Sequence, residues 1–134
     1  MQDGSGTATW RSALAQVSAS LSPAIVAVRR HLHANPELSM QEYATTAYLA
    51  ERVESLGSSP VITEQRIGMT CNWQSRHTQT SQRRVGLRGD IDALPIDTKS
   101  TEQYASQNAG VMHACGHDAH SSMVWGALAI LHNL

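Results

Sequence analysis

Residues 39–57, SMQEYATTAYLAERVESLG, decide the first structural question. Ser39 and Glu42 stand at the S-x-x-E spacing of a capping box, and Leu38 and Tyr43 occupy the flanking hydrophobic-staple positions. Behind them Tyr43, Leu49, Ala50, Val53 and Leu56 return at helical spacing, and Gly57 sits where a left-handed C-terminal cap is wanted. Upstream, Ser22 and Pro23 read as N-cap and first helical position, Ile25, Val28 and Leu32 recur at three and four residues, and Asn35-Pro36 stops the pattern. The spacing therefore predicts a helix over 23–34, followed by a second one after Glu42. Two amphipathic helices joined by a short turn need another layer to bury their apolar faces, and the predicted layer is a sheet.

Downstream, branched and apolar residues predict strands at 61–65, 69–73 and 84–87. The stretch 74–82 contains no aliphatic residue and is expected to be an exposed hairpin loop. Residues 97–110 are polar and unperiodic, which suits an ordered loop across one end of the sheet. Helix returns over 118–132, with Asp118 as its N-cap and apolar residues nearly all round from Met123 to Leu131. The Ser/Ala/Thr-rich start, 1–20, is expected to be a flexible tail, leaving 21–134 as the folded portion. The fold class is α/β, with helices on a small mixed sheet.

Composition narrows the functional classes. A chain of 134 residues has room for one domain, and 41% hydrophobic residues are enough for a core. A net charge of -1 supplies no field for nucleic acid or an acidic membrane surface, so neither is an expected partner. No run approaches the roughly 20 apolar residues of a membrane span, and the start lacks the basic and apolar blocks of a secretory signal. Two cysteines, Cys71 and Cys115, build no disulfide scaffold. A cytoplasmic location is expected.

Chemistry gathers in two places. Three of the seven histidines and one of the two cysteines fall within 113–120, HACGHDAH. A thiolate and an imidazole on either side of a glycine, Cys115 and His117, make a two-donor clip for a borderline-soft divalent metal. A buried Cys beside surface histidines is the alternative that spacing leaves open. The second place is 87–95, LRGDIDALP, just after a predicted strand. If that strand persists, Asp90 and Asp92 share a side, where a carboxylate can ligate a metal or hold a ligating imidazole by its second nitrogen. Either Asp could equally cap a loop or stay solvated. Asp118, His120 and Ser121 lie too close on one helix start to act in series as a hydrolase triad. His31 and His33 end the first helix, where a cation suits the dipole and a structural role is expected.

These residues occur in a recognisable order: RHLHANPELS at 30–39, LRGDIDALPI at 87–96, YAS at 104–106 and GVMHACGHDAH at 110–120. From about residue 20 onward the chain resembles the M20 metallopeptidase family. The specific likeness is to its amidohydrolase branch of hippurate, N-acyl-amino-acid and auxin-conjugate hydrolases. The resemblance implies the N-terminal part of a zinc-peptidase-like catalytic domain with two divalent metal ions, zinc or manganese first, cobalt or nickel otherwise. The implied substrate is a small N-acylated amino acid or related conjugate, whose amide bond is hydrolysed. Carried over by position, Cys115 and His117 match metal ligands and Asp92 matches the aspartate that supports the metal centre. Asp90 stands where sister branches carry a ligating histidine, while His113, Asp118 and His120 flank the clip as further candidates.

The resemblance also implies length that this chain does not have. The family's general-base glutamate, its remaining ligands and its dimerisation domain fall beyond Leu134, so the chain is expected to be an N-terminal portion, silent by itself and prone to self-associate through its last helix. The competing expectation is a metal-binding or interaction module derived from the family without catalysis, including one that docks on a full-length relative.

Overall fold

The computed structural model describes residues 4–75 and 84–134. Its elements run α1 (Gly4–Ala34), α2 (Tyr43–Glu54), β1 (Pro60–Ile62), β2 (Met69–Cys71) and α3 (His117–His132).

Helix α1 is 31 residues long and carries Pro23 inside it. The expected start at Pro23 is corrected: residues 4–20, read as a tail, are helical. The reason is visible in the stripe, because Leu14, Val17 and Leu21 extend the spacing of Ile25, Val28 and Leu32 back through Pro23. Pro23 and Ala19 are both exposed, so the carbonyl that the missing N–H leaves unpaired can turn to water.

Helix α2 is close to its expected place, but its N-terminus is held differently. Neither Ser39 nor Glu42 caps by its side chain, and the predicted capping box is absent. The Glu37 carboxylate instead accepts from the main-chain N–H groups of Ala44 at 3.1 Å and Thr45 at 2.7 Å. An acid here satisfies orphan donors and meets the positive end of the helix dipole. Tyr43 does not act as a staple either, since it is exposed. The other end follows expectation. Gly57 has φ 80°, and the N–H groups of Gly57 and Ser58 donate to Glu54 O and Val53 O, the paired bonds of a Schellman motif.

β1 and β2 pair antiparallel, with Val61 opposite Thr70, and Gly68 N–H donates to Thr46 Oγ1 at 2.8 Å, fastening the hairpin to α2. The strand expected at 84–87 does not form: no ladder includes it among the described residues, and Val85 and Leu87 are exposed. From residue 76 to 82 the expected hairpin loop lies outside the described residues. Isolated bridges of both senses, Leu38 with Ala93 and Leu94 with Met112, join the segments around the 30s, 90s and 110s. The 97–110 loop is ordered mainly against the end of α1, through Gln107 N–H to Ala34 O at 2.9 Å and Asn108 Nδ2 to Pro36 O at 2.7 Å.

The core consists of Val28 and Leu32 from α1, Leu49 and Val53 from α2, and Trp125 and Ala129 from α3. The Trp125 indole donates to Arg52 O at 3.0 Å, so its buried N–H is satisfied. α1 crosses α3 at Gly126, where an added Cβ would lie 2.7 Å from Ile25 Cδ1. This crossing matters for the site, because it fixes the first turn of α3 against the end of α1. No helix of the described residues is long and apolar enough to cross a membrane.

Candidate metal centre

The site is assembled where the 88–92 segment runs against the start of α3. Gly89 eases the approach, since a Cβ there would lie 3.1 Å from His120 O and 3.2 Å from Ser121 Cα, tighter than ordinary contact. The Ser121 hydroxyl then joins the two main chains, 2.7 Å from Asp90 O and 2.9 Å from His117 O. Asp90 is thus held beside the turn that carries His117 and His120.

Ligand atoms of Asp90, His117 and His120 lie within 4.8 Å of one another. His117 Nδ1 is 2.9 Å from both Asp92 Oδ1 and Asp92 O. Both partners are acceptors, so Nδ1 carries the proton and donates, and the lone pair is left on Nε2. Asp92 therefore orients the ring from behind and selects the tautomer that offers Nε2 to a ligand. Asp90 stays ionised: the Arg88 guanidinium, bonded to its Oδ1 at 2.7 and 2.9 Å, holds its carboxyl below the usual range. Alternation along a strand does not bring Asp90 and Asp92 together, because the strand is absent; contact of both with α3 does.

The other candidates separate. Cys115 is exposed and stands outside the three-residue group. His113 is buried, and no well-formed hydrogen bond to either ring nitrogen is found among the described residues. Burial pushes its pKa below the ordinary value, only partly offset by the Asp118 charge. Asp118 is not the N-cap of α3; Gly116, at φ 84°, takes that position. The Asp118 carboxylate is instead 1% exposed, with His33 Nδ1 at 2.8 Å and Arg29 Nε at 2.9 Å on its Oδ2. It ties α1 to the turn that bears the clip. Sequence reasoning missed this pair because 85 residues separate its members. The available sign was Arg29 and His33, a guanidinium and an imidazole four apart on one helix face.

The arrangement can hold a divalent cation between imidazole and carboxylate donors, a set that suits first-row metals. Known proteins point the same way. Residues 86–134 match Peptidase family M20/M25/M40. The chain is 41% identical over 110 residues to the N-acyl-L-amino acid amidohydrolase of Geobacillus stearothermophilus, covering 82% of this chain and 29% of that one. It is 38% identical over 112 residues to the N-acetyl-L-cysteine deacetylase of Bacillus subtilis, covering 84% and 26%. Among solved structures, the YXEP protein of Bacillus subtilis, a dinuclear metal-binding peptidase of the M20 family, superposes with a TM-score of 0.76 at 32% identity, covering 84% of this chain and 31% of that one. The chain thus spans less than a third of the length of these relatives.

Proposed function

Because the chain belongs to the M20 peptidase family, with relatives of the amidohydrolase type, we propose that it contributes one part of the metal centre of an enzyme that hydrolyses the amide bond of N-acyl amino acids or related conjugates. The observation that carries this reading is His117, whose Nδ1 is held by Asp92, which leaves the lone pair on Nε2 for a ligand. Cys115 and His117 hold metal in the complete centre, and Asp92 keeps His117 in place. A divalent metal, zinc or manganese first and cobalt or nickel otherwise, would supply the Lewis acidity for attack of water on the amide carbonyl. The chain's own residues orient and charge the site: Asp92 holds a proton on His117 Nδ1, and Asp90 adds a carboxylate already ionised by Arg88.

The base that takes the proton from water, worth about 10²–10⁴-fold, is assigned to the part of the family fold outside these residues. The chain alone is accordingly silent. The test is a chimaera in which the chain replaces the matching segment of the Geobacillus stearothermophilus relative. The chimaera is expected to release amino acid from N-acyl amino acids and to lose this on Cys115→Ser or His117→Ala, while the chain by itself releases none. A folded, metal-loaded chimaera without amide hydrolysis would overturn the proposal.

A further inference from the structure

We propose that the apolar groove between β2 and residues 85–89 receives residues 85–89 of a second copy of this chain as an added strand, in a reciprocal exchange about a two-fold axis. The inference stands apart from the metal chemistry above and uses none of its donors.

The groove, of about 590 Å³, is lined by 69–73 on one side and by 85–89 on the other, over a floor that includes Leu49 and Val53 of α2 and Trp125 and Leu128 of α3. A strand that turned one face to a cavity would line it with alternate residues. Here each side contributes five consecutive residues, so main-chain edges border the groove. Those edges are open. β2 pairs with β1 on one side, and among the described residues its other edge joins no ladder. Residues 85–89 exchange no main-chain hydrogen bond with any other described main chain. Two open edges over an apolar floor are a template for an extended segment that bonds to both and lays alternate side chains on the floor. Five residues of strand span roughly 16 Å, and a groove of that length and volume takes one strand, not two.

The chain carries such a segment itself. Val85 is 88% and Leu87 60% exposed, a branched and an apolar side chain two apart and so on one face. Gly86 has open space about it, and the one charged side chain of the segment, Arg88, is paired with Asp90 at 2.7 Å. A net charge of -1 sets little repulsion between copies. Because 85–89 is also a wall of its own groove, entry of one copy's segment beside β2 of the other places the other's segment beside β2 of the first. The sheet then runs β1, β2, the second copy's 85–89, this copy's 85–89, and the second copy's β2 and β1, with the two-fold axis between the central segments. Both edges of each groove are paired, and the exchange closes at two copies.

Sedimentation equilibrium of the wild-type chain is expected to show association that levels at the dimer. Leu87→Lys, which brings a charge to the apolar floor, and Gly86→Pro, which removes a main-chain donor from the ladder, are each expected to weaken dimerisation at least about tenfold. Trp10→Lys, at an exposed position of α1, should leave it unchanged. In a mixture of ¹³C-labelled and unlabelled wild-type chains, intermolecular NOEs are expected between 69–73 of one copy and 85–89 of the other. That measurement decides the matter even where a variant fails to fold by circular dichroism. A wild-type chain that stays monomeric, including one that instead takes up the remaining part of the Geobacillus stearothermophilus relative, would overturn the proposal. So would growth past the dimer, a dimer without those NOEs, or unchanged dimerisation in both folded variants.

Discussion

Asp118 and Asp92 show how differently two carboxylates beside one histidine can be employed. Asp92 is partly exposed and turns its oxygen to His117 Nδ1; replacing it by Asn is expected to cost about 10–100-fold in metal affinity, checked by calorimetric titration, with unchanged affinity contradicting its orienting role. Asp118 is 1% exposed and binds the Arg29 guanidinium and the His33 ring across the α1–α3 junction. Asp118→Ala is expected to destabilise the fold by about 2–3 kcal/mol, less than the roughly 3–5 of a wholly buried pair, because Arg29 is 36% exposed and can recover water. Urea denaturation measures this, and a loss under about 0.5 kcal/mol, typical of a surface change, would contradict it. The contact of Asp92 with His117 was open in the sequence, where a D-x-D before a loop could equally cap the loop, stay solvated or hold an imidazole; the family resemblance alone singled out Asp92. The role of Asp118 was not legible. An acid in the first helical turn reads locally as a cap, and only the tertiary fold brings Arg29 and His33 of α1 to it.

Element by element, legibility follows how local the determining interactions are. The C-terminus of α2 was readable because Gly57 at φ 80° answers to backbone geometry alone. Its N-terminus was misread because Glu37, outside the capping-box spacing, reaches the donors of Ala44 and Thr45 first. Pro23 suggested a helix start, but the apolar stripe on both sides of it, packed on α3, outweighs one missing hydrogen bond. That packing depends on Gly126, where Ile25 leaves no room for a Cβ without shifting. Gly126→Leu is expected to lower stability by about 1–3 kcal/mol through overpacking, measured by thermal and urea melts. Unchanged or raised stability would show that α1 and α3 do not cross closely at this point.

For the molecule as a whole, the family was legible from four short motifs, whose order along the chain is specific even where each is short. The missing partner for 84–87 was not, because strand formation depends on a neighbour as much as on branched side chains. Val85, Leu87 and Leu131 are left exposed and, with Leu49, Val53, Met69, Trp73, Trp125 and Leu128, line a groove of about 590 Å³. An apolar surface of this kind favours association, so light scattering is expected to show a mass that rises with concentration and dye binding that falls with it; a monodisperse monomer without dye binding would contradict this. The central proposal, that the chain carries a metal-binding part of an M20-type centre, rests on His117, whose Nδ1 is held by Asp92. Its most direct test is zinc stoichiometry and affinity for the wild type and His117→Ala, with folding of both verified by circular dichroism. The account predicts saturable binding by the wild type and none by His117→Ala; equal binding by the two folded proteins would contradict it.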